Sequence, residues 1–281
     1  MINHQKVIGF LGICRYGNDW RIQPGELGFG VGLGGYRQLN DRFFRPLING
    51  TNCRRLMLHK VFPDKREADI PFDGPMRLDQ EFPHLGESYD LMLADLRGVY
   101  DDIEIIEYHG CATQVEVCSG SVTTRANRER LSRVLRRAAD FGLSVAFDKA
   151  SALRHSDTMV PFIWGLHHAA TPTRRVYIEQ RQRVEQGYFN GIPTFTMLSE
   201  LIRQNDRGGE PSLMPFDVGT ENVLAIDVPP PDRDPMEGWD AWIVDQVEAF
   251  QADGFTVAVP IHSMVDRKRW DLLRQIFGEP A

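Results

Sequence analysis

Cysteine is scarce in this chain: four residues among 281, at Cys14, Cys53, Cys111 and Cys118. Their spacings hold no CxxC pair and no zinc-ligand pattern, which sets aside a zinc ribbon and a dithiol redox centre. Reduced thiols are expected, with a local Cys111–Cys118 bridge left open. No apolar run is long enough to span a bilayer. The opening MINHQKVIGFLGICRYG has a short apolar run and no cleavage pattern. The expectations are no membrane partner and cytoplasmic synthesis without a signal peptide. A basic excess is missing too. Lys and Arg number 32 against 39 Asp and Glu, a net charge of -7, which argues against a nucleic-acid partner held through phosphates. Nucleophile motifs are also lacking. Ser151 and Ser199 have no GxSxG setting, and Cys111 near His109 has no recognisable third member.

One glycine loop needs separate treatment. GFGVGLGG carries GxGxxG spacing at Gly30, Gly32 and Gly35. A dinucleotide fingerprint belongs in a tight turn directly after the first strand, with an acidic residue closing the second. Here the first strand ends near Ile13, and the second closes on His59 and Lys60. A loop over the mouth of the fold is the better reading, and no cofactor is expected.

What the sequence does contain is recurrence without repeats or linkers. A short β-rich run followed by a longer segment, often of helical period, occurs eight times. The runs are Val7–Ile13, Arg55–Val61, Ile103–His109, Leu143–Lys149, Val176–Gln180, Thr194–Leu198, Val223–Val228 and Phe255–His262. Helical segments read as Tyr36–Ile48, Ser88–Val99, Ala126–Phe141, Asp157–Ala169, Trp239–Asp253 and Asp266–Phe277. Gly142 and Gly254 stand where helices turn into strands. Alternation of this kind predicts an α/β fold, a single (β/α)8 TIM barrel over residues 1–281. The sixth run is the least regular, since TFTMLSELIRQND also reads as a helix.

Strand alternation then sorts side chains by face. In LSVAFDK the bulky Leu143, Val145 and Phe147 share one parity, and Ser144, Ala146 and Asp148 the other. The bulky set faces the helices, which turns Asp148 inward at the C-terminal end. The same argument places Glu179, Asp227, His59 and His262 inward, and Glu107 with His109 on the third strand. Barrel active sites lie at that end, and carboxylates are costly to bury without purpose.

Two carboxyl groups flanking a bond are the equipment of glycoside hydrolysis. Asp148, Glu179 and Asp227 fall on strands four, five and seven, an Asp–Glu–Asp placement similar to that of the alpha-amylase clan. That resemblance implies Asp148 as nucleophile, Glu179 as acid and Asp227 as stabiliser. Two positions depart from the clan: Ala146 stands where it has arginine, and Ile226 where it has histidine. Trp20, Tyr188, Phe189 and Trp239 fall beside mouth-side loops, where Trp20 and Trp239 are candidates to stack on sugar faces. A carbohydrate is the expected partner, with Glu107, His109, His59 and His262 as further binding positions.

Two other readings stay open. His59, His109, Glu179, Asp227 and His262 could serve a metal-dependent isomerase or hydrolase, although the first strand ends Ile13-Cys14-Arg15 without an HxH pair. The segment NDRFFRPLINGTNCRRLMLHKVF resembles glycosidase-like barrels attached to bacteriophage particles. That resemblance implies a catalytically silent barrel docked to other subunits, for which the stiff Pro229–Pro230–Pro231 stretch offers a surface, and a place in a virion.

Overall fold

The computed structural model describes residues 1–11, 14–16, 19–21, 40–59, 83–108, 136, 138–148, 156–179, 189, 191–198, 202, 220–226, 239–261, 264–265 and 267–280. Ten strands lie among them: β1 Val7–Leu11, β2 Cys14–Tyr16, β3 Asp19–Arg21, β4 Arg55–His59, β5 Glu104–Tyr108, β6 Ser144–Asp148, β7 Val176–Glu179, β8 Thr194–Met197, β9 Asn222–Ala225 and β10 Thr256–Pro260. β2 and β3 form an antiparallel hairpin. The other eight are all parallel and close into a barrel, in the order β1, β4, β5, β6, β7, β8, β9, β10. This is the (β/α)8 architecture expected from strand–helix alternation. The sixth run, Thr194–Met197, is a strand paired to both neighbours.

Five α-helices are described: α1 Arg45–Gly50 (entered through a π turn, Asn40–Phe44), α2 Pro83–Val99, α3 Ser156–His168, α4 Trp239–Ala252 and α5 Trp270–Phe277. α5 is strongly amphipathic and buries Leu272, Leu273, Ile276 and Phe277. Gly142 and Gly254 have φ of 62° and 95°. Both sit where the chain reverses from helix to strand, the left-handed conformation glycine adopts at no steric cost. Arg97 ties α2 to the barrel by donating to the carbonyls of Ile103, Phe141 and Gly142. Among the described residues, no helix is long and apolar enough to cross a membrane.

Two hydrophobic cores follow from the alternation. The larger lies between barrel and helices and takes Leu56, Leu58, Ile105, Val145, Phe147, Val176, Ile178, Leu224, Val257 and Val259 from the strands. The smaller fills the barrel itself with Ile8, Phe10, Met57, Ile106, Ala146, Tyr177, Phe195, Val223, Ala225 and Ala258. Carrying the pairing register once around the sheet, from Phe10 to Met57, Ile106 and Ser144 and onward at the same offsets, returns to β1 at residue 2. The displacement from residue 10 to residue 2 is a shear of eight, which stacks the interior in layers of four drawn from alternate strands.

Candidate functional site

The shear assigns each inward strand position a level. From the N-terminal end, Ile8, Ile106, Tyr177 and Val223 form one layer, and Met57, Ala146, Phe195 and Ala258 the next. Above them the strand positions Phe10, Tyr108, Glu179 and Ala225 share a level, followed by His59, Asp148, Met197 and Pro260. The two lower layers are apolar apart from the hydroxyl of Tyr177. Ionisable residues enter at the third and fourth, towards the C-terminal mouth.

Asp148 and Glu179 end β6 and β7 and are register partners on adjacent strands. Glu179 is buried. Asp148 shares the parity of Ser144 and Ala146, as read from the sequence. His59 ends β4, in register with Tyr108. Trp20 lies in β3 opposite Arg15, and Trp239 is the first residue of α4. Asp227, His109, His262, Tyr188 and the Gly30–Gly35 loop lie outside the described residues, as do Cys111 and Cys118. Phe189 is buried in the outer core.

Glu107 requires a correction. It is in register with Leu58 on one side and Val145 on the other, and both belong to the outer core. Glu107 is therefore on the helix-facing alternation of β5, buried, and does not join the mouth. The inward positions of this strand are Glu104, Ile106 and Tyr108. In EIIEYH side-chain bulk does not separate the two faces, because Ile105 and Ile106 are equally bulky. By register Tyr108, and not Glu107, takes the last inward strand position of β5.

The opposite end of the barrel holds a second polar group, unanticipated in the sequence. Arg55, Glu104, Arg175 and Glu221 each stand at or just before the start of a strand. Arg55 donates from Nε to Glu104 Oε2 at 2.8 Å, and from Nη1 and Nη2 to the two oxygens of Glu221 at 2.7 and 3.0 Å. Arg175 donates to Glu104 at 3.0 and 2.6 Å and to Glu221 at 2.8 Å. The Tyr177 hydroxyl receives a bond from Arg55 Nη2 at 2.9 Å and donates to Glu104 at 3.0 Å. Ser144 and Thr256 complete the set, donating to Glu104 and Glu221 respectively. Two arginines and two glutamates thus balance in charge across the base.

Electrostatics in this base favour the ionised network. Burial acts to raise the carboxyls of Glu104 and Glu221, but the Arg55 charge and hydrogen bonds from the arginines outweigh it and hold both below the usual range. Burial likewise opposes the charge of Arg55, which Tyr177, Glu104 and Glu221 more than offset. Tyr177 is driven well above the ordinary phenol range, by burial first and the Glu104 charge second. A saturated, charge-balanced cluster at the N-terminal face of such a barrel serves stability; reactive chemistry belongs to the other face.

For metal binding, no group of three or more His, Cys, Asp or Glu able to hold an ion is present among the described residues. His109, Asp227 and His262 lie outside that set.

No family model matches the chain, and no curated protein matches it. Among solved structures it is similar to one described as "Structural study of Project ID from Aquifex aeolicus VF5". That likeness covers 98% of this chain and 93% of the other, at 10% identity and a TM-score of 0.47. At that level it carries no functional argument.

Proposed function

We propose that the C-terminal mouth is a carbohydrate site of the glycoside-hydrolase type, with Asp148 and Glu179 as its carboxylate pair. The observation that supports this is their register: they are direct partners on adjacent parallel strands at the C-terminal ends of β6 and β7. Parallel strands run about 4.8 Å apart. A retaining glycosidase needs its two carboxyl groups about 5 to 5.5 Å apart, so adjacent in-register strand ends suit that spacing.

In this reading the Asp148 carboxylate attacks the anomeric carbon as the glycosidic C–O bond breaks. Glu179 gives its proton to the departing oxygen. Water, deprotonated by Glu179, then attacks the glycosyl ester and releases Asp148. Asp227, His59, His109 and His262 stay as further binding candidates in this reading, and Trp20 and Trp239 as candidates to stack on sugar rings.

The test is turnover of a panel of polysaccharides and aryl glycosides by the wild type, Asp148→Asn and Glu179→Gln. Each substitution is expected to lower kcat by at least about 10²-fold, the low end of general acid–base contributions. Equal turnover in both variants sinks the assignment. Sugar binding without turnover by the wild type would favour a silent, recognising barrel, consistent with a role as a component of a larger particle.

A further inference from the structure

We propose that the outer face of α3 docks against the same face of a second copy of this chain, the two helices running antiparallel about a two-fold axis between Pro161 and Gly165.

α3 differs from the other helices in what it shows to solvent. From Thr158 to Leu166 it holds no Asp, Glu, Lys or Arg, whereas α2, α4 and α5 each carry carboxylates within their spans. Ile163 is fully buried, and Phe162, Trp164 and Leu166 are half-buried against the outer core. Pro161, Gly165 and His168 are exposed. At about 3.6 residues per turn these three share one face, opposite Ile163, with Phe162 and Trp164 on its two flanks.

Proline and glycine are the poorest residues for a helix interior. Both stand on this exposed face, one turn apart. The fold itself does not ask for the glycine. A Cβ on Gly165 would meet nothing within 4 Å, and Gly165 is not among the glycines of positive φ. A glycine that its own chain does not need fits a place where another backbone approaches closely. The shallow groove over Gly165, edged by Phe162 and Trp164, suits the ridge of a second helix.

Charge selects the occupant. The chain carries a net charge of -7, so two copies repel, and a two-fold contact sets a patch against itself. A stretch without carboxylates or cations can meet its own copy with no like charges opposed. The ends complement each other when the helices run antiparallel. An axis midway between Pro161 and Gly165 sets Gly165 of each copy beside Pro161 of the other, and residue 158 level with residue 168. The start of one helix, with Asp157, then meets the end of the other, with His167 and His168. An imidazole N–H can donate to a carboxylate. Parallel packing would set acid against acid and histidine against histidine.

The experiment is sedimentation velocity of the full-length protein over a concentration series. The contact is one helix wide, so a reversible dimer with a micromolar dissociation constant is expected. Gly165→Glu puts a carboxylate into the contact and should weaken the dimer by about tenfold or more. Glutamate is a better helix former than glycine and its Cβ has open space, so the variant should melt no lower than the wild type. Gly98→Glu is the control: Gly98 is exposed on α2, and its Cβ also meets nothing within 4 Å. It should leave the dimer intact. His168→Glu alone should weaken association, and adding Asp157→Lys should restore it, because the antiparallel ends are again opposite in charge. A wild type that stays monomeric overturns the proposal, as does a dimer that Gly165→Glu leaves unchanged. A monomer that instead sediments with neutral phosphatidylcholine vesicles would overturn it in favour of a lipid surface.

Discussion

Glu104→Gln is the sharpest perturbation of the barrel base. Glu104 is 1% exposed, so water cannot replace what it loses. Its two oxygens accept from Arg55, Ser144, Tyr177 and twice from Arg175, at 2.6 to 3.0 Å. Glutamine has the same shape but turns one oxygen into an NH₂ group. Whichever way the amide is placed, that group faces at least two donors, and the negative charge between two guanidinium groups is gone. Breaking a buried ion pair from one side costs about 3 to 5 kcal/mol. Unfolding entropy of about 2.1 cal/mol/K per residue gives a chain of this length roughly 0.6 kcal/mol per degree, so a loss of about 4 kcal/mol lowers the melting temperature by about 7 °C. Thermal melts at pH 7 followed by circular dichroism would measure it. The exposed ion pair of Glu279 with Arg274 supplies the control, and Glu279→Gln should leave the midpoint in place. A fall of less than about 2 °C in Glu104→Gln would refute the view that this network holds the base together.

Other outcomes follow from the same structure. Glu104 and Glu221 are both held below the ordinary carboxylate range; their contribution is complete above the unfolded glutamate pKa and is lost as pH falls through the folded values. Melting temperature should thus drop on acidification below the usual glutamate range, and the drop should flatten in Glu104→Gln. Burial pushes the Cys53 thiol up to about 11, so in the native protein it should resist thiol reagents at pH 8 and react only on unfolding. A methyl group on Gly9 would meet Leu47 Cδ2 at 3.0 Å, Leu56 Cδ2 at 3.2 Å and Cys53 Sγ at 3.4 Å. Gly9→Ala should therefore cost about 1 to 3 kcal/mol in urea denaturation, the range for overpacked cores.

Much of this architecture is written in the sequence because strand alternation is local. The described part of every barrel strand lies within its β-rich run, except that β9 starts one residue earlier, at Asn222. Parity is legible on β6 and β10, where bulky and small residues strictly alternate. It fails on β5, where Ile105 and Ile106 are alike in size and only the neighbouring strands reveal which faces inward. The base network was invisible for a different reason. Arg55 and Glu104 start the consecutive strands β4 and β5, but Arg175 and Glu221 come from the starts of β7 and β9, and their convergence on the first pair depends on the shear of the closed sheet. A residue at a strand's first position is also where chain reading places a solvated charge. Asp148 and Glu179 were singled out separately, each from its own strand. That they are register partners emerges only from the pairing of β6 with β7.

The shear of eight also dictates how a ligand would be approached. Moving sideways from one register partner to the next raises or lowers the level by one residue, so the partners climb as a spiral stair through the layers of four. Parallel strands about 4.8 Å apart and tilted about 36° make each tread roughly 2.8 Å high. Asp148 and Glu179, partners across a single hydrogen-bonded edge, therefore stand one tread apart. On the proposed reading, a ring lowered along the axis passes the strand level of Asp148 before that of Glu179. Any bond gripped between the two must lie aslant to the axis, and the handedness of that slant is fixed by the direction in which the barrel coils.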